Sequence, residues 1–151
     1  ETMSVVEADD SIAEWLDSRH PELRRLTLER VPDEDGIILV RAAVAGHEPV
    51  VTLLDTGGKG TETRASSVPD LSGGELRSTG HGVGGTEAFG RDVEGQALEA
   101  GGARIPVERL ILRDVMPHYD ILVGMDTLRG SVLAVTHDQA QPVHWLIAQD
   151  Q

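Results

Sequence analysis

The spacing of apolar and polar positions changes along this chain, and the changes mark its parts. In "DDSIAEWLDSRHPELRRL" the apolar residues Ile12, Trp15 and Leu16 fall on one face. That spacing predicts a helix, with Asp10 or Ser11 as its N-cap, that breaks or restarts at Pro21. The acidic residues 1–10 ahead of it read as frayed. From Leu26 the period falls to two. "LTLERV" alternates, "PDEDG" is a turn, and "IILVRAAVAGHEPVVTLLDTG" reads as two strands joined by a tight turn at Gly46 and His47. The second of these strands carries Asp55 to its C-terminal end. Residues 56–80 are polar and loop-rich, and "HGVGGTEAFG" is a glycine-dense hairpin. "QALEAGGARIPVERLILRDV" gives two more strands around Gly101 and Gly102. "YDILVGMDTLRGSVLAV" gives a strand, a glycine, a short helical turn begun near Asp126 and another strand; "VHWLIA" is the last strand. With no linker long enough to divide it, the pattern predicts a helical leader over 1–25 and one all-β domain over 26–151.

Composition sharpens this picture. At 151 residues the chain can bury an ordinary core, but aromatics are only 3%, so that core must be built from Val, Leu, Ile and Ala. Seventeen glycines and seven prolines fit many short strands and turns. A formal net charge of −13 argues against nucleic acid and against anionic membrane surfaces as partners. There is no cysteine, hence no disulfide or thiolate metal site, and no apolar run approaches the ~18–20 residues of a membrane span. The chain begins at Glu1 rather than Met, which leaves room for an upstream signal or anchor and leaves a cytoplasmic or a periplasmic setting open.

Several motifs fail on inspection. "GHGVGG" matches the dinucleotide pattern GxGxxG, but "TEAFGRDVEG" behind it is a poor helix, with Gly90 and Gly95 inside it. "GGKGT" is not a phosphate loop: Leu53 stands where its first glycine is needed, and Gly60 follows Lys59. The six histidines form no HExxH pair. His118, His137 and His144 lie near Asp120 and Asp138 in sequence, as residues of polar loops often do, so no metal and no cofactor is expected. No GxSxG elbow occurs. "VVTLLDTGGKG" is different. An isolated buried carboxylate is costly, yet this strand ends in one and follows it with permissive glycines. A turn closed by Asp55 is one reading and a catalytic acid is the other.

"LLDTGGKGT", then "GVGGT", then "ILVGMDTLRG" resemble, in order and spacing, the three signatures of the retropepsin-like (retroviral-type) aspartic proteases, of the single-domain bacterial type. The resemblance covers about residues 36–147. It implies a retropepsin-like closed β-barrel or sandwich half with a flap hairpin and one short helix after the "ILVG" strand. It also implies an aspartic endopeptidase. Peptide hydrolysis needs a base for water and an acid for the carbonyl, and two close carboxylates sharing one proton supply both. One chain carries a single Asp-Thr-Gly, so the resemblance implies a C2 homodimer in which Asp55 meets Asp55 of a second copy. Like charges about 3 Å apart cannot both ionise.

By the same likeness Thr56 bonds across the axis, and the Gly57 carbonyl faces an extended peptide or protein substrate. Gly58 and Lys59 line the cleft. Val83, Gly84 and Gly85 form the flap tip that covers it. Ile121, Leu122 and Gly124 support the loop from behind, and Asp126 caps the following helix. The chain departs from the family at Gly58, where Ala or Ser is usual, and at Lys59, where a small or acidic residue is commoner. Both departures bear on efficiency and specificity and favour an alternative, a weak or inactive relative that binds peptides in the same cleft. A third reading is an acidic β-domain whose Asp-Thr-Gly is a structural turn and whose leader helix binds a partner. In related dimers the chain termini supply strands, which offers "VHWLIA" as interface and Trp145 as its anchor. The leader could cover the cleft or the dimer edge.

Overall fold

The computed structural model describes residues 12–81 and 87–149. Asp10 and Ser11, the expected caps, lie outside the described residues. Helix α1, Ile12–Arg19, buries Leu16 and stops ahead of Pro21, whose ring cannot continue a helix. The helical leader read from the sequence ran to residue 25, with a break or restart at Pro21; the structure ends the helix at Arg19 and gives residues 23–25 to a strand. Leu23–Leu28 is strand β1, paired antiparallel with the last strand, Val143–Ala148, from Leu23 opposite Ala148 to Leu28 opposite Val143. Leu26 and Leu28 are each 1% exposed and alternate with Arg25 and Thr27, so the two-residue period decides the local structure.

The strands follow as β2 Arg30–Val31, β3 Leu39–Val44, β4 Val50–Leu54, β5 Thr61–Arg64, β6 Arg77–His81, β7 Glu87–Ala100, β8 Ala103–Arg113 and β9 Ile121–Val123. A one-turn helix α2, Met125–Leu128, precedes β10, Val132–Ala134, and β11, Val143–Ala148. The strands β3, β4, β9, β5, β8 and β7 are hydrogen-bonded in that order, and pairing of Ala43 with Glu99 and Val44 with Leu98 returns β7 to β3. The ring is therefore closed, an all-β barrel with no free edge among these six strands. Strands β2 and β6 add to it outside the ring. The β7–β8 hairpin turns through Gly101 and Gly102 at φ of 55° and 76°, the left-handed pair that a two-residue hairpin of the favoured hand requires.

Polarity hid one strand. Thr61 and Thr63 of β5 are both 0% exposed, between β9 and β8. The Thr63 hydroxyl donates to the Asp120 carbonyl at 3.2 Å, and that of Thr61 to the Asp126 carboxylate at 2.7 Å. With those bonds made, burying threonine costs little.

The second sheet, β1-β11-β10, lays Val143, Trp145 and Ile147 onto the barrel core. The structure thereby corrects the expectation that Trp145 anchors a dimer. It is 1% exposed inside its own chain, and β11 has both edges paired. Its indole N–H has no hydrogen-bond partner among the described residues. That omission costs about 1–3 kcal/mol. Removing some 150–250 Å² of ring from water is worth about 4–6 kcal/mol and outweighs it.

The other face of the three-stranded sheet carries α1. Arg25, which lies opposite Leu146 on β11, donates to Asp17 of the helix at 2.8 and 3.0 Å. No hydrogen bond or ion pair among the described residues joins α1 to residues 55–60. His144 is 7% exposed on this face, and burial, then the Arg25 charge, holds its pKa below the usual histidine value while Asp17 opposes them. The unfolded chain then binds the extra proton first, so stability should fall as pH drops through ~6.5.

His47 has the opposite sign. Its Nε2 lies 2.6 Å from Asp70 Oδ1, and that hydrogen bond raises its pKa, giving stability that is present below ~6.5 and lost as pH rises through the raised value. We predict that His47→Gln steepens the loss of denaturant midpoint between pH 7.5 and 5.5 and that His144→Gln flattens it. Equal slopes in the two variants would contradict the assignment.

Candidate active site

Strand β4 explains how a carboxylate comes to stand at the end of an apolar run. Thr52 and Leu54 point into the core at 0% and 4% exposure, while Val51 and Leu53 are half-buried on the outer face. Asp55 continues that outer face by the two-residue period and is itself half-buried, so its charge is not stranded in the core. Its N–H donates to the Val123 carbonyl at 3.0 Å, which fixes it to β9. The chain then turns: Gly58 N–H donates to the Asp55 carbonyl at 3.2 Å, and Gly57 N–H to Asp55 Oδ1 at 2.8 Å. Oδ2 faces the Gly58 backbone, where a Cβ would stand 3.1 Å from it. Thr56, Gly57 and Lys59 are exposed on this loop. Lys59 is the only lysine of the chain.

The loop is held from behind. Strand β9 runs parallel to β4, with Leu53 opposite Leu122 and Leu54 opposite Val123, and antiparallel to β5, with Thr63 opposite Ile121 and Glu62 opposite Leu122. It therefore passes between the strand that enters the Asp55 loop and the strand that leaves it. Ile121 and Val123 point into the core at 1% exposure each, and Leu122 points outward. Beyond β9 the backbone reaches back to the loop: Met125 N–H donates to the Gly58 carbonyl at 2.8 Å and Asp126 N–H to the Lys59 carbonyl at 3.1 Å. Gly124 makes this possible. A Cβ there would lie 2.4 Å from the Gly60 carbonyl oxygen and 2.9 Å from its nitrogen.

Asp126 does not cap the helix as expected. The N-cap of α2 is Gly124, and Asp126 sits inside the first turn. Its carboxylate accepts the Thr61 N–H at 3.0 Å, the Thr61 hydroxyl at 2.7 Å and the Thr127 N–H at 2.8 Å. It braces the exit of the Asp55 loop against α2.

The hairpin expected as a flap is β6 with the start of β7. Arg77 pairs with Gly90, Ser78 with Phe89 and His81 with Glu87, with an irregularity between Ser78 and Gly80. Val83, Gly84 and Gly85, the expected flap tip, lie outside the described residues. Among the described residues no three His, Asp or Glu side chains come together as metal ligands, and no helix is long and apolar enough to cross a membrane.

Three side chains near Asp55 escaped the sequence reading. Glu62 and Arg113 form a bidentate pair at 2.5 and 2.7 Å. The Tyr119 phenol has its pKa raised by burial first, then by the negative charges of Glu62 and Asp55. The alternation within "TETR" was the available signal: it turns Glu62 outward between two buried threonines.

No family model and no curated protein matches the chain. Among solved structures, a retropepsin-like aspartic protease from Rickettsia conorii is similar with a TM-score of 0.57 at 15% identity, over 84% of this chain and 94% of that one. At that identity the likeness is one of fold, and the fold of this chain is that of a retropepsin-like aspartic protease.

Proposed function

We propose that this chain is one half of an aspartic endopeptidase. The observation that carries the reading is the placement of Asp55: half-buried at the end of β4, one oxygen held by Gly57 N–H, on a loop clamped from behind by β9 and α2. A loop built only to turn the chain needs no such clamp. In the proposed homodimer Asp55 and its copy share one proton across the twofold axis, with water between them. The ionised carboxylate takes a proton from water as it attacks the scissile carbonyl, and the protonated one gives its proton to the carbonyl oxygen. Collapse of the tetrahedral intermediate returns a proton to the leaving amine. Thr56 locks the two loops, the Gly57 carbonyl receives a substrate N–H, and Gly58 and Lys59 border the cleft. Val83, Gly84 and Gly85 close over it, and Ile121, Leu122 and Gly124 keep the loop in place.

The test combines solution mass with cleavage of a mixed peptide pool. A species of about twice 16.2 kDa should cut peptides somewhere between about pH 4 and 7, where a carboxyl pair sharing a proton can work. A monomer that cuts nothing across that range would overturn the proposal. A dimer that binds peptides without cutting them would favour the binding-only alternative.

A further inference from the structure

The face that carries Asp55 continues as a row across the barrel. Leu53 lies opposite Leu122, Leu122 opposite Glu62, and Glu62 opposite Ile111. All four point away from the core residues that flank them. The row abuts the Asp55 loop at two places. A Cβ on Gly58 would stand 3.0 Å from Leu122 Cδ2, and one on Gly60 would stand 3.2 Å from Ile111 Cδ1. Leu53 and Leu122 are half-buried and Ile111 is 3% exposed, so the first two give the row an aliphatic surface of the kind an extended peptide packs on. The fourth is a carboxylate.

Glu62 is held tightly. Its side chain is 19% exposed and that of Arg113 is 13% exposed, and the guanidinium meets both carboxylate oxygens. Arg113 also donates to the Phe89 carbonyl at 3.1 Å, on the strand that forms the base of the β6–β7 hairpin. A nearly dry ion pair is a poor stabiliser, since apolar replacements of similar size are often neutral or better. Its rigidity has another use. Each carboxylate oxygen spends one acceptor site on Arg113 and keeps another, so the group can accept a further hydrogen bond at a fixed place.

We infer that Glu62, positioned by Arg113, is a specificity-determining residue of the cleft beside Asp55, where it selects substrates bearing a hydrogen-bond-donor side chain next to the scissile bond. The inference rests on the endopeptidase reading above. An aliphatic side chain placed there would leave a desolvated carboxylate short of a partner, whereas an amide, hydroxyl or ammonium group supplies one.

The experiment compares matched peptides that differ only by Gln or Leu next to the cleaved bond, on the wild-type protein and on the double variant Glu62→Leu with Arg113→Leu. The double change removes both charges together, so neither is left unpaired. The ratio of kcat/KM for Gln over Leu should exceed one in the wild type and fall by about tenfold or more in the double variant, at an unchanged denaturant midpoint. Should the double variant not fold, Glu62→Gln keeps the shape and one bond to Arg113 and should lower the ratio severalfold. An unchanged ratio with cleavage intact overturns this inference alone. Absence of cleavage dependent on Asp55 in every protein overturns the endopeptidase reading and this inference with it.

Discussion

Asp55→Asn should reduce peptide cleavage by about 10³-fold or more while leaving the fold and the association of the chain unchanged. The size follows from losing the general base and the general acid together, each worth roughly 10²–10⁴ in rate. The specificity of the change follows from geometry. The Asp55 oxygen that accepts the Gly57 N–H at 2.8 Å can be matched by the amide oxygen of asparagine, so the turn loses no bond. Circular dichroism and solution mass should therefore not move. The same substitution tests whether two copies make one site. If wild-type and Asp55→Asn chains are mixed in equal amounts and allowed to exchange, about a quarter of the pairs carry two aspartates, so the mixture should show about a quarter of the activity of the same total amount of wild-type chain. A remainder near one half would mean that each chain works alone. Full activity in the substituted protein would leave Asp55 as a structural turn.

What was legible in the sequence divides along a physical line. Strands β4 and β8 announce themselves by a two-residue period, β3 and β11 by short apolar runs buried on both faces, and the Gly101-Gly102 turn by composition. The Asp-Thr-Gly loop was legible because an acid after an apolar run conflicts with local preference and asks for a reason. Strand β5 was not legible, since Thr61 and Thr63 are buried through hydrogen bonds to groups more than fifty residues away. The same distance concealed the real work of Asp126: nothing near it in sequence says that Thr61 is its partner. Leu23 to Arg25 followed a helix without a glycine stop, and pairing with β11 is what extends the alternating strand back to Leu23. Trp145 reads as an interface anchor by likeness to dimers whose chain termini supply strands, yet in this aliphatic core a single large ring is best used as filling.

The second large effect concerns the clamp behind the loop. Gly124→Ala places a methyl 2.4 Å from the Gly60 carbonyl oxygen and 2.8 Å from its carbon, against backbone rather than the end of a side chain. No rotamer relieves that contact, so either the 58–61 segment or the turn into α2 must shift. Overpacking of this kind costs typically 1–3 kcal/mol, and a backbone-to-backbone clash belongs at about 3 kcal/mol or above. The bonds at risk are those that hold the loop, Met125 N–H to Gly58 and Asp126 N–H to Lys59. Stability and cleavage should therefore fall together, with the denaturant midpoint dropping and the slope unchanged.

Gly58→Ala provides the contrast. Its new methyl would meet Leu122 Cδ2 at 3.0 Å and Asp55 Oδ2 at 3.1 Å, and the leucine methyl can swing away. Gly58 is not among the positive-φ glycines, so alanine brings no backbone strain and gains the lower entropy of its unfolded chain. Its stability should stay within about 1 kcal/mol of the parent. If Gly124→Ala proved as mild as Gly58→Ala, β9 and α2 would not be fixing the loop, and the position of Asp55 would need another cause.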